Sequence, residues 1–154
     1  MKKDIPQPKR YTLDKLPPTL MALVIGMWEK TGGIPKDQTR LIFTYFDGIY
    51  TNFPLRMDYF IHEQIHFIRQ GAGVDESLAR TWWIKYCEDP EFRLQEELLA
   101  YREQYKFLKG MDGGKRFNKP QMFEHAKYFA AELASQKYGN IISESEALMK
   151  IISK

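Results

Sequence analysis

Cysteine, histidine and long apolar runs are all scarce in this chain. One cysteine, Cys87, in 154 residues excludes an internal disulfide and a cysteine-based zinc ribbon, and reads as a buried spectator thiol. The most hydrophobic stretch, residues 20–28, falls well short of the roughly 20 residues that a membrane-spanning helix needs. The opening MKKDIPQPKRYTLDKLPP has no apolar segment of the kind a secretory signal carries, so the expectation is a cytoplasmic protein with no membrane partner. A large charge excess is missing too. The 23 Lys and Arg are interspersed with 20 Asp and Glu, for a formal net charge of +3. The densest basic run, KRFNK at 115–119 beside Asp112, Gly113 and Gly114, reads as a solvated loop, as do Lys2, Lys3, Lys9 and Arg10. Nucleic acid is therefore not the expected partner.

A composition that is 44% hydrophobic and 28% charged suits a folded core, and the length suits one domain over 1–154. Residues 1–11, with Pro6 and Pro8 among charges, read as an extended, flexible arm. Pro17 and Pro18 ahead of TLMALVIGMWEK predict a buried helix that stops at Gly32 and Gly33. The run TRLIFTYFDGIYTNF is rich in β-branched and aromatic residues, and its Asp47-Gly48 predicts a hairpin with strands over 40–46 and 49–52. Asp75 caps a helix with Leu78, Trp82 and Tyr86 on one face. Asp89-Pro90 opens a longer helix, with Leu94, Leu98, Tyr101, Tyr105 and Leu108 as its stripe and Gly110 as its stop. A helix from Pro120 to a stop at Gly139 follows, and Ser143 with Glu146 forms a capping box for a last short helix. The expected class is α+β: mostly helical, with one small antiparallel sheet.

Two of the three histidines fall in one stretch, DYFIHEQIHFIRQG, in the order His-Glu-x-x-His. On a helix capped by Asp58 and stopped by Gly71, His62 and His66 lie one turn apart on the same face, so both imidazoles can reach one metal ion while Glu63 points to its edge. Ile61, Ile65, Ile68, Phe60 and Phe67 supply the apolar faces, and Tyr59, His62, Glu63, His66 and Gln70 form a polar stripe. A catalytic Zn2+ takes three protein ligands and keeps one position for water, whose proton a neighbouring carboxylate such as Glu63 can take.

The third ligand must come from elsewhere, and Glu96, Glu97, Glu103 and His125 are the choices. At about 100° per residue, Glu97 lies near the apolar stripe of its helix and Glu96 nearly opposite. Ala100, one turn further along, would let two helices approach closely. An exposed edge of the predicted sheet would allow an extended peptide to pair beside the site.

With HEQIH at 62–66 and ELLAY at 97–101, the chain resembles the gluzincin group of zinc metallopeptidases, in which a His-Glu-x-x-His helix is followed by a helix bearing Glu-x-x-Ala. The resemblance covers mainly residues 39–105 and implies a minimal zincin-like domain of the phage or bacterial kind. It implies zinc on His62, His66 and Glu97, with Glu63 as general base and a peptide or protein as substrate. Tyr101 or His125 is the expected transition-state donor. Metzincins would carry glycine and histidine where Arg69 and Ala72 stand. Deformylases use an upstream cysteine, whereas Cys87 lies downstream. SprT-like proteins need a third histidine ligand, for which only His125 remains. The rival reading keeps the fold without catalysis, as a protein-binding or structural-zinc module.

Overall fold

The computed structural model describes residues 4–110 and 119–153. Three strands and six helices make up its regular elements: β1 (Lys9–Tyr11), α1 (Pro18–Thr31), β2 (Ile42–Tyr45), β3 (Gly48–Thr51), α2 (Met57–Arg69), α3 (Glu76–Glu88), α4 (Pro90–Gly110), α5 (Lys119–Leu133) and α6 (Glu144–Ile152). The α+β expectation holds. The basic residues at 115–118, with Lys2 and Lys3, lie outside the described residues.

The sheet is mixed, in the order β1-β3-β2, and not purely antiparallel: β2 and β3 form the hairpin, and β1 adds parallel to β3. The N-terminal segment is therefore not simply a flexible arm. Pro6 and Pro8 lack amide donors, and pairing begins immediately after them. Asp47 ties the strand down, accepting from the Lys9 amide at 2.8 Å and the Tyr11 hydroxyl at 3.0 Å. The hairpin corner falls one residue earlier than Asp47-Gly48. Tyr45 pairs with Gly48, so Phe46 and Asp47 form the loop, with Phe46 in the left-handed region at φ +52°. Gly48 is needed because Tyr11 packs where a Cβ would stand.

Two apolar clusters form the core. Leu20, Val24 and Trp28 of α1 pack with Phe43 and Tyr50 of the hairpin and with Trp82, Trp83 and Tyr86 of α3. Leu94, Leu98 and Leu108 of α4 pack with Phe129 and Leu133 of α5 and with Ile151 of α6. Arg93, 1% exposed, fixes α4 against its neighbours by donating to the Tyr86 carbonyl at 2.6 Å and the Lys137 carbonyl at 3.0 Å. Caps follow the residues expected at α3, where Asp75 accepts from the Ser77 amide, and at α6, where Ser143 accepts from that of Glu146. Asp89 does the same for the Glu91 and Phe92 amides at α4. Leu78 is exposed, so the buried face of α3 is Ala79, Trp82, Trp83 and Tyr86. Helix α5 ends at Leu133, and the chain reaches Gly139 through a 3-10 turn.

Candidate metal centre

Helix α2 is amphipathic in an inverted sense. Its buried residues are Asp58, His62, Glu63, His66 and Phe67, joined by Gln70 just past its end. Ile68 is exposed, and Ile61 and Ile65 are only half-buried. The polar stripe read from the sequence thus points inward, and the isoleucines sit at the rim. Burying imidazoles and carboxylates is costly unless each finds partners, and here they find one another.

His62 and His66, one turn apart, bring their Nε2 atoms to 3.2 Å. Glu97, from α4, places Oε2 at 3.1 Å from His62 Nε2 and Oε1 at 3.3 Å from His66 Nε2. Zinc bonds of about 2.0–2.1 Å at tetrahedral angles set ligand atoms about 3.3 Å apart. The two Nε2 atoms stand at the spacing of two zinc ligands, and the Glu97 carboxylate faces each of them through a different oxygen. Glu63 falls with the two histidines in a group whose ligand atoms lie within 4.8 Å of one another. Its Oε2 accepts the Thr44 hydroxyl of β2 at 2.7 Å, which holds the carboxylate beside the triangle.

A surrounding layer fixes each of these groups. The Tyr86 hydroxyl donates to Glu97 Oε1 at 2.6 Å. His62 Nδ1 meets Gln104 Oε1 at 3.0 Å, and Gln104 Nε2 donates to Asp58 Oδ2 at 2.8 Å. The rings are wedged between the two apolar clusters, His66 against Trp82 at 5.4 Å and His62 against Tyr101 at 4.5 Å. His66 Nδ1 has no hydrogen-bond partner among the described residues, so beyond its Nε2 contacts the ring is held by packing. Burial lowers the His66 pKa, but the Glu97 carboxylate overrides this, with Glu63 and Glu96, and raises it to about 9. Burial works against charge on Glu97 too, yet His66 and His62 hold its carboxyl well below the usual range. Burial and then Glu97 push the Tyr86 and Tyr101 hydroxyls well above the usual tyrosine pKa.

Of the third-ligand choices only Glu97 enters the triangle. Glu96 is buried as well, 1% exposed, which corrects its placement opposite the stripe: α4 is covered on several sides. Its carboxylate is taken by Arg69, with Nη2 at 2.8 Å and Nε at 3.0 Å. Glu103 pairs with Lys106 near the surface. His125 lies on α5, 6.5 Å from the Phe129 ring, and does not line the cavity at the site, whereas Tyr101 does. Sequence reasoning missed Thr44, Tyr86 and Gln104. Gln104 was within reach, being seven residues from Glu97 and so on the same face of α4. Asp58 is no N-cap; Arg56 holds that place, and Asp58 turns inward.

The edge of β2 is partly occupied. Gln70 accepts from the Phe46 amide at 3.2 Å and donates to the Thr44 carbonyl at 2.8 Å, in the manner of a neighbouring strand. Trp83 Nε1 donates to the same carbonyl at 2.9 Å. A peptide cannot pair there without displacing them. A cavity of about 260 Å³ is lined by His62, Glu63, His66, Glu97 and Tyr101, with Met27, Trp28 and Phe43 among its apolar residues. Among the described residues no helix is long and apolar enough to cross a membrane. Compared with known proteins, the chain matches no family model, no curated protein and no solved structure.

Proposed function

We propose that this protein is a zinc-dependent hydrolase that cleaves peptide bonds, with His62, His66 and Glu97 as zinc ligands and Glu63 as general base. The observation that carries this reading is that α2 turns His62, Glu63 and His66 inward, against a carboxylate from α4, while its isoleucines remain at the rim. A fold that buries so much titratable surface needs something to offset the desolvation, and a divalent cation bound by two neutral imidazoles and a carboxylate does so. Bound zinc would supply an acidified water and a polarised carbonyl.

The chain's own residues provide the rest. Thr44 holds Glu63 Oε2, so the other carboxylate oxygen is left to take a proton from water and return it to the leaving amine. Tyr101, which burial and Glu97 keep un-ionised, retains a hydroxyl proton at the wall of the cavity and is assigned to the developing oxyanion. His125 takes no part in this reading. Met27, Trp28 and Phe43 favour a bulky apolar side chain next to the scissile bond. The cytoplasm suits a chain whose one cysteine is a half-buried thiol, pushed up to about 11 by burial.

The test compares wild type with His62→Ala and Glu63→Gln, measuring bound metal and cleavage of an unfolded protein. One zinc per chain is expected in wild type and in Glu63→Gln, and none in His62→Ala. Cleavage by Glu63→Gln should fall by roughly a hundredfold to ten-thousandfold. Wild type without stoichiometric zinc, or full activity in Glu63→Gln, would end this reading. Stoichiometric zinc with no cleavage of any unfolded protein would put the structural or binding module in its place.

A further inference from the structure

We propose that Arg93 is the anion-binding residue of the cavity, and that its free guanidinium nitrogen receives a substrate carboxylate close to the scissile bond. The inference rests on the hydrolase reading for the bond that is cut, and it adds the class of substrate: a short peptide segment that presents a carboxylate. An arginine side chain is always charged, and a fully buried one almost always has an anion beside it. Arg93 is 1% exposed, yet no ion pair among the described residues includes it. Its neighbour one turn along α4, Glu97, would be the usual partner, but turns to His62, His66 and Tyr86 instead.

Carbonyls are what Arg93 has. Nη1 donates to those of Tyr86 at 2.6 Å and Cys87 at 3.3 Å, in the last turn of α3, and Nε donates to that of Lys137 at 3.0 Å. A helix C-terminus offers only about half a negative charge, so the guanidinium keeps an excess. Nη2 donates to no group among the described residues, and Arg93 lines the cavity. Two other cations line it as well. Lys137 pairs with Glu132 at 3.1 Å, and Arg40 is exposed, its guanidinium over the Phe53 ring at 5.5 Å. Only Arg93 is both buried and unpaired.

Tyr86 stands between this cation and the histidines. Its ring centre lies 5.8 Å from Arg93 Cζ, and its hydroxyl reaches Glu97 at 2.6 Å. A tyrosine side chain is about as long as two extended residues, roughly 7 Å. A carboxylate on Arg93 and a carbonyl beside His62 and His66 therefore fit within one short peptide. Gln70 and Trp83 hold the edge of β2, which favours the end of a chain over its middle.

The test uses two pairs of probes, each differing only in a carboxylate, titrated into metal-free protein so that zinc cannot attract the anion. N-acetyl-phenylalanine and its amide represent a chain terminus, with a ring suited to Met27, Trp28 and Phe43. N-acetyl-glutamic acid α-amide and N-acetyl-glutamine amide represent an acidic side chain. Wild type should prefer the acid in at least one pair, by roughly tenfold to a hundredfold. The pair with the larger preference names the source of the carboxylate. Arg93→Met should erase that preference, and Arg40→Met should retain it.

No preference in either pair would overturn the proposal, as would its survival in Arg93→Met or its loss in Arg40→Met. Should Arg93→Met fail to fold, because the Tyr86 and Lys137 carbonyls lose their donor, a crystal structure of wild type with the preferred acid decides. A carboxylate on Arg93 Nη2 supports the site, and one bound elsewhere refutes it. If wild type takes up no zinc yet prefers the acid through Arg93, the hydrolase reading falls and the anion site stands. Zinc and cleavage without any such preference give the reverse.

Discussion

His62 Nε2 and His66 Nε2 face each other at 3.2 Å, and the Glu97 carboxylate stands 3.1 Å from the first and 3.3 Å from the second. Two ring nitrogens and a carboxylate at that spacing need positive charge among them. Without metal a proton supplies it, and the His66 pKa, which burial lowers and Glu97 raises further, comes to about 9.

On the proposed reading, zinc would therefore have to displace a proton. Below about pH 9 the metal-free protein holds the proton on His66, so binding near neutral pH should release about one proton per zinc. Affinity should rise about tenfold per pH unit toward that value and level off above it. Calorimetry in two buffers of different ionisation enthalpy measures the release. Proton-free binding at pH 7 would mean that His66 is not a ligand.

Tyr86 donates to Glu97 Oε1 from within the core, and Phe can replace it without changing the packing. Tyr86→Phe leaves a buried carboxylate short of one donor, at a cost of about 1–3 kcal/mol in the metal-free protein. Zinc affinity should fall by roughly tenfold to a hundredfold, since the lost bond orients a ligand. Thermal melting with and without zinc separates the two effects. Equal zinc affinity in both proteins would show that Glu97 needs no orientation from Tyr86.

Thr44 reaches Glu63 from the sheet. Thr44→Val keeps the shape and removes the hydroxyl, so Glu63 loses its guide while the metal ligands keep theirs. Turnover should drop by roughly tenfold to a hundredfold with zinc content unchanged, in line with the cost of a misplaced catalytic group. Loss of zinc in this variant would instead make Glu63 a ligand.

How far such residues could be read in advance depended on whether their partners were local. The helix over His62, Glu63 and His66 is legible because its signal is a spacing of four residues, and the caps at Asp75 and Ser143 because the side chain bonds an amide two or three residues away. Glu97 could be chosen over Glu96 from its angle on α4. Glu96 could not be placed, because an angle to one stripe assumes a helix with one covered side, whereas α4 is covered on several. Asp58 carries the sequence signature of an N-cap, and only the Gln104 amide, 46 residues away in sequence, shows what it does instead. The pairing of β1 with β3 depends on Asp47, which no local pattern links to Lys9 and Tyr11.

Glu96 and Glu97 are adjacent on α4 and equally acidic, yet their partners assign them opposite tasks. Arg69 forms a forked pair with Glu96, whereas Glu97 faces two imidazoles. Glu97→Gln should abolish stoichiometric zinc binding, because a neutral amide replaces the anionic ligand. Glu96→Gln should bind zinc as wild type does and lose stability instead. Removing Arg69 alone, as Arg69→Met, strands a buried carboxylate and is expected to cost up to about 3–5 kcal/mol, the upper end applying to a fully buried pair. Arg69 is half-exposed and water reaches it, so the measured loss should fall toward the lower end. Replacing both partners, Arg69→Met with Glu96→Leu, should recover much of that loss, since no charge is then left unpaired. Metal analysis beside urea unfolding reads both properties on the same samples. Zinc lost from Glu96→Gln and kept by Glu97→Gln would exchange the two roles and move the centre one residue along α4.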